Sequence, residues 1–87
     1  MRTVHKYVLA LSYPSTWRFN VPSGAKVRLV EPQTLGSVCI WMEVNTGAGL
    51  VSQAYEIVGT GHPISDGASH IGSCVSGPYV WHVYLVA

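Results

Sequence analysis

The chain has 87 residues, of which 48% are apolar and 10% are charged, and its formal net charge is +1. This length suffices for a single domain, 1–87, and so small a charge excludes the strong electrostatic field that attracts nucleic acid or an acidic membrane. The charged fraction lies far below the roughly 25% of an average soluble domain, so surplus apolar side chains must pack densely or be shared with another copy, and we expect a homo-oligomer.

Apolar and polar residues alternate with a period of two along most of the chain, and turn residues separate the alternating segments. These segments predict strands at Thr3–Ser12, Thr16–Val21, Lys26–Glu31, Ser37–Asn45, Val51–Gly59, His70–Val75 and Tyr79–Val86. No segment of helical length keeps a helical apolar period without an interrupting glycine or proline. We therefore predict an all-β fold, a single small antiparallel sandwich or partly open barrel of about six to seven short strands.

The alternation also assigns side chains to the two faces of each strand. In the segment AKVRLV, which includes the start of the third strand, it places Ala25, Val27 and Leu29 on one face and Lys26 and Arg28 on the other. In the fourth strand it separates an aliphatic face, Val38, Ile40, Met42 and Val44, from an opposite face, Cys39, Trp41 and Glu43. We expect Lys26 and Arg28 to meet Glu43 across neighbouring strands. The last strand, YVWHVYLV, is apolar on both faces, which predicts a central strand or a subunit contact.

The segment VGTGHPISDG, residues 58–67, is the strongest candidate site in the sequence. Gly59 and Gly61 can adopt positive φ and bring backbone amides close to an anion. The Thr60 hydroxyl and the His62 ring can donate hydrogen bonds to a phosphate. No predicted helix follows and no GK[ST] is present, so the segment is not a P-loop. The alternative is a tight structural turn, with the proline fixing its exit and the Asp-Gly pair forming a second turn.

A site for a nucleotide-like ligand, which combines a phosphate with an aromatic base, also needs a positive charge and a surface on which the base can stack. Lys26 and Arg28 are the candidates for charge. Trp41 is the candidate for stacking because it shares its predicted face with Glu43 rather than with aliphatic residues. The predicted ligand-binding residues are therefore Gly59, Thr60, Gly61, His62, Lys26, Arg28 and Trp41.

Signals for catalysis or metal binding are weak. The four histidines, His5, His62, His70 and His82, lack the close spacing of zinc ligands, although pairing of the terminal strands would bring His5 beside His82. Hydrolytic sets can be assembled from Ser65, His62 and Asp66 or from Cys74 and His70, but no nucleophile elbow accompanies them. We expect no catalytic residue, no metal and no cofactor.

Two further features bear on the compartment. The N-terminal apolar run Val8–Leu11 is too short for a signal-peptide core or a membrane span. The two cysteines, Cys39 and Cys74, are fewer than the disulfide framework of a small secreted protein requires, so we expect both to be buried thiols. We expect a cytoplasmic protein without a membrane partner.

Six segments are spread over nearly the whole chain: MRTVHKYVL, VPSGAKVRLVEPQ, CIWMEV, VGTGHPI, SHIGSCV and VWHVYL. Together, and in this order, they resemble a family of uncharacterised small bacteriophage proteins. P-x-G-A-K and G-T-G-H-P are the more specific of them, whereas EPQTLGSVC and NTGAGLVSQAYEI depart from the family pattern. The family has no assigned activity, so the resemblance implies a phage accessory protein in the host cytoplasm and no particular mechanism.

A small accessory protein without catalytic groups is expected to act by binding. The leading hypothesis is a counter-defence protein that sequesters a nucleotide-like signalling ligand without a catalytic step. The alternatives are a protein–protein inhibitor of a bacterial defence complex, of the anti-CRISPR type, a structural phage component, and a minor enzyme acting on nucleotides. The expected partner is thus a nucleotide-like small molecule or a host or defence protein, and not a nucleic acid.

Overall fold

The computed structural model describes residues 1–11 and 16–86, which form seven antiparallel strands in two sheets. The strands are β1 (Arg2–Ala10), β2 (Thr16–Pro22), β3 (Lys26–Thr34), β4 (Ser37–Asn45), β5 (Leu50–Gly59), β6 (Ser69–Ser76) and β7 (Tyr79–Val86). One sheet has the order β1-β4-β3 and the other the order β2-β5-β7-β6. The sheets enclose one apolar core between them, so the predicted all-β fold is confirmed as a sandwich.

The alternation of the sequence located the strands well. The bounds of β4 and β7 are those predicted, and the other described strand ends lie within three residues of the prediction. The predicted end of the first strand at Ser12, and the YPS break after it, fall outside the described residues. Over the two described ranges, the structure contains no helix of the length and hydropathy needed to cross a membrane.

The face prediction for β4 is confirmed, and this strand supplies much of the core. The predicted aliphatic face is buried along its whole length, at Val38, Ile40, Met42 and Val44. They pack against Tyr55, Ile57 and Val83 of the four-stranded sheet, because alternate residues of one strand point to the same side. Cys39 and Cys74 are both free and buried, as predicted. Burial raises the pKa of the Cys74 thiol, with smaller contributions from Glu31 and Cys39.

A β-bulge in β3 makes one predicted face wrong. The register with β4 shifts between Val27 and Leu29, so that Arg28 is an extra residue in the strand. Val27 packs against the core, whereas Leu29 pairs with Trp41 on the outer face and is 46% exposed. Val30 takes the buried position instead. A bulge adds one residue to a strand and reverses the alternation after it, which a strict period of two cannot anticipate.

Two arginines converge on Glu43, and one of them, Arg28, was predicted to do so. Arg28 Nη2 lies 3.4 Å from Glu43 Oε1, and Arg2 Nη1 lies 3.5 Å from Oε2. Lys26 is the register partner of Glu43 in β4. Exposed ion pairs of this kind contribute about 0–1 kcal/mol each, so packing between the sheets dominates the stability.

β7 lies between β5 and β6, so the first of its two predicted alternatives, a central strand, is confirmed. Val83 faces the core and is fully buried, whereas the residues before and after it, His82 and Tyr84, are half-buried. His5 lies in β1, in the other sheet, so the pairing of terminal strands that would bring it beside His82 does not form.

Tyr55 gives the fold a testable dependence on alkaline pH. Its buried hydroxyl donates to Gln53 Oε1 at 2.6 Å, and burial raises its pKa to about 12, with a further contribution from Tyr7. The folded protein therefore holds the phenol proton more tightly than the unfolded chain, whose phenol has a pKa of about 10. The stabilisation is complete below about pH 10 and is lost as the pH rises to about 12.

We expect the free energy of unfolding to fall by roughly 2–3 kcal/mol over this interval, measured by urea denaturation at successive pH values. The Tyr55→Phe variant is the control, because it keeps the ring and removes the titrating group. An equal loss of stability in this variant would show that other groups cause it.

Candidate functional site

The predicted ligand-binding residues fall at two separate places. Gly59 ends β5, and Thr60, Gly61 and His62 follow it in the loop that leads to β6, at one end of the four-stranded sheet. The other three, Lys26, Arg28 and Trp41, belong to the three-stranded sheet. The loop before β3 is hydrogen-bonded to the loop before β5 (Ser23 N to Gly49 O, 2.8 Å), so β3 begins at the end of the sandwich opposite the turn. The structure does not bring the cations and the tryptophan to the turn.

Residues Gly59 to His62 form a closed β-turn. The His62 amide donates to Gly59 O at 3.0 Å, and the φ of Gly61 is +88°. Positive φ at the third residue is typical of a type II turn, in which glycine avoids the strain of a side chain. The structural role is therefore present, and the His62 amide serves the turn instead of an anion. The side chains of Thr60 and His62 are exposed.

The loop after this turn is tied back to the sheet by Glu56. The Ser65 amide and hydroxyl donate to the two Glu56 carboxylate oxygens at 3.2 and 2.8 Å. The predicted second turn is confirmed, since the Ala68 amide donates to Ser65 O at 3.2 Å and Gly67 has a φ of +76°. Glu56 thus acts as an anchor for the loop.

Four side chains next to the turn form one hydrogen-bonded chain, which we call the Ser73 chain (Thr60, His82, Ser73 and His70). His70 Nε2 and His82 Nδ1 each lie 2.8 Å from Ser73 Oγ. His82 Nε2 lies 3.1 Å from Thr60 Oγ1. Strand pairing explains part of this arrangement, because Ser73 and His82 are register partners on β6 and β7.

A bulge in β6 explains the rest. His70 and Ser73 are three residues apart, so regular alternation would point them to opposite faces. The register between β6 and β7 shifts between His70 and Gly72, which brings both side chains to the same face. Sequence reasoning missed Ser73 for this reason. The signal that was available is the glycine inside the strand, a residue that often marks a bulge.

The hydrogens of the Ser73 chain can be arranged in two ways that give each of its three hydrogen bonds one donor and one acceptor. In the outward order, His70 donates to Ser73, Ser73 donates to His82, and His82 donates to Thr60. The Thr60 hydrogen is then available to a ligand. In the reverse order Thr60 donates to His82 and the hydrogens point toward His70. A hydrogen-bond acceptor placed at Thr60 selects the outward order, because hydroxyls and neutral imidazoles each both donate and accept.

Two surface cavities share the turn. The first, which we call the polar cavity for the hydroxyl and imidazole groups of Thr60, His62 and His82, has a volume of about 200 Å³ and is also lined by Ile64 and Tyr84. The aromatic cavity has a volume of about 320 Å³, and its lining includes His62, Pro78, Tyr79, Val80 and Trp81. Tyr79 is 61% exposed and stacks on Trp81 at 5.6 Å between ring centroids. Gly59, Thr60 and His62 line both cavities, so the turn separates one cavity from the other.

The hydrolytic sets assembled from the sequence are not formed. The Ser65 hydroxyl is bonded to Glu56 rather than to His62. Cys74 belongs to the core, while His70 is exposed and bonded to Ser73. Among residues 1–11 and 16–86, no group of three or more His, Cys, Asp or Glu side chains could hold a metal ion.

A protein-family model described as "Domain of unknown function (DUF7352)" matches residues 1–87. No curated protein and no solved structure matches the chain. The match carries no activity, so the chemistry of the turn and its two cavities is the guide to function.

Proposed function

The chain belongs to this family of unknown function, and we propose that it is a non-catalytic protein that binds and sequesters a nucleotide-like ligand at the Gly59–His62 turn. The observation that carries the proposal is the position of the turn between a polar cavity and an aromatic one. A nucleotide has the same two parts, an anionic phosphate and an aromatic base, joined by a sugar that can cross the turn.

The polar cavity supplies donors for a phosphate. The rings of His62 and His82 and the hydroxyl of Thr60 line it. Hydrogen bonds from such groups to a charged oxygen are about twice as strong as those to a neutral oxygen. Because His62 is exposed and belongs to both cavities, it is the side chain that we expect to contact the phosphate first.

The aromatic cavity supplies a stacking surface. The exposed ring of Tyr79 lies over Trp81, and a base that stacks on such a ring gains about 1–3 kcal/mol. Lys26, Arg28 and Trp41 have no part in this proposal, since they lie in the other sheet.

The biological role that we propose is counter-defence, in which the protein removes a nucleotide-like signal of the bacterial host. The ground for it is the resemblance of the sequence to small bacteriophage proteins. Both cavities are open at the surface, so a second copy of the chain would complete the enclosure of a ligand, in line with the homo-oligomer that we predict.

A second candidate function is inhibition of a bacterial defence complex by blocking its surface. It is favoured by the outer face of the three-stranded sheet, where Val4, Val8 and Leu29 are exposed. Exposed apolar side chains on one face of a sheet are candidates for contacts with a partner protein. This face belongs to the three-stranded sheet and the turn follows β5 of the other sheet, so variants at Leu29 and at His62 separate the two functions.

The proposal is tested by native mass spectrometry of the protein with mono-, di- and cyclic nucleotides. We expect one ligand retained per subunit or per interface, and at least a tenfold loss of affinity, about 1.4 kcal/mol, in the His62→Ala variant. Thermal stability should be unchanged, because the His62 side chain is exposed. His5→Ala is the control, an exposed histidine in the other sheet. Retention of no nucleotide, or equal binding by His62→Ala, would contradict the proposal.

A further inference from the structure

We infer that the anionic group selected by this site is a phosphodiester, which carries one negative charge, rather than a phosphomonoester, which carries nearly two. The inference rests on the proposed function and names its ligand class. It follows from the charges around the polar cavity and from the way in which the Ser73 chain takes up a proton.

The lining of the polar cavity holds hydroxyl, phenol and imidazole donors, and the described lining residues include no lysine or arginine. Arg18 lies on β2, which is separated from β7 by β5, and it donates to Ser52. The one charged residue of β5, Glu56, is negative, and it is the register partner of Tyr84 in the cavity lining. Among these lining groups, only an imidazole that takes up a proton can compensate the negative charge of a bound anion.

The Ser73 chain can supply one such proton without losing a hydrogen bond. In the outward order, His70 uses Nε2–H as the donor to Ser73 and keeps Nδ1 free to take up a proton. His70 then becomes a cation, all three bonds of the chain persist, and Thr60 still donates toward the cavity. A second proton on His82 would place two cations on the same Ser73 oxygen, to which both rings are 2.8 Å distant.

The groups that face the chain carry no fixed positive charge. Tyr84 meets His70 edge to face at 5.3 Å, Glu56 is an anion, and the His62 imidazole belongs to the lining of the polar cavity. One proton on the chain matches one negative charge on the ligand. A phosphomonoester at neutral pH brings about −1.5 to −2, and its excess charge costs free energy where water is displaced.

The test compares each ribonucleoside 5′-monophosphate with its own methyl ester, for all four bases, by isothermal titration calorimetry. Each pair differs by one methyl group and one charge. Near pH 7.5 we expect the methyl ester to bind at least about tenfold more tightly. Near pH 5.5 the preference should shrink to less than about threefold, because the second pKa of a phosphomonoester is about 6 and the two ligands then carry similar charge.

The Ser73→Ala variant tests whether the chain is responsible. We expect it to bind the preferred methyl ester about five- to tenfold more weakly with an unchanged unfolding temperature, since Ser73 is exposed. Ser69→Ala is the matched control, an exposed serine on the same strand and outside the chain.

The outcomes separate the inference from the proposed function. If the monophosphate binds as tightly as its methyl ester near pH 7.5, the inference is overturned and the proposed function stands. If Ser73→Ala binds like Ser69→Ala, the Ser73 chain does not provide the compensating charge and the inference is overturned in that part. If no member of any pair binds, the proposed function fails and the inference fails with it.

Discussion

Replacement of Gly72 by alanine is expected to lower the free energy of unfolding by roughly 3 kcal/mol, at the upper end of the usual cost of overpacking. A Cβ added at Gly72 would lie 2.9 Å from Val30 Cβ and would also collide with Val30 Cγ2. Val30 is buried in the core, so its side chain has little room to move away. β3 and β6 would have to separate at the point where they close the sandwich.

Chemical denaturation measures this loss, and two further variants make the result specific. Gly36→Ala is the control, because a Cβ there has no neighbour within 4 Å and its cost should stay within about 0.5 kcal/mol. The double variant Gly72→Ala, Val30→Ala should be more stable than the sum of the two single changes predicts, since the smaller side chain gives space to the new methyl group. A Gly72→Ala protein as stable as Gly36→Ala would disprove the close approach of β3 and β6.

Replacement of Ile40 by alanine is expected to cost about 2–5 kcal/mol. Ile40 is 0% exposed at the centre of β4, where it is paired with Tyr7 on one side and Val30 on the other. Because strands enclose it in its own sheet and the second sheet covers it, the cavity left by the missing atoms cannot collapse easily. A domain of this length has a total stability of roughly 4–13 kcal/mol, so the variant loses a large part of it.

The measurement is chemical denaturation followed by tryptophan fluorescence. Leu35→Ala is the control, an aliphatic residue that is 83% exposed between β3 and β4 and whose removal should change the stability by less than about 0.5 kcal/mol. Equal stability of the two variants would mean that β4 does not have its buried face toward the second sheet.

The contrast between Ile40 and Gly72 illustrates which parts of the fold the sequence predicts. Ile40 belongs to a regular alternation of aliphatic residues, and the strand, its bounds and its buried face were all predicted from that pattern. Gly72 attracted no prediction. Its importance comes from Val30, which lies 42 positions away in the sequence and is itself shifted by a bulge.

The candidate site divides in the same way. The Gly59–His62 turn was predicted because glycine, proline and histidine between two strands form a local signal. Lys26, Arg28 and Trp41 were assigned to the same ligand from their chemistry, and the structure places them in the other sheet. Ser73 was overlooked, although it joins two of the four histidines by hydrogen bonds.

The sequence by itself determined the all-β class, the approximate limits of the strands, the buried face of β4 and the turn after β5. Each of these depends on neighbouring residues, through the period of two and the torsional preferences of glycine and proline. Only the tertiary structure decided how the strands divide between two sheets, where the bulges in β3 and β6 fall, and which side chains meet around Ser73. These features depend on pairing between residues distant in the sequence, and a single bulge reverses every face that alternation assigns after it.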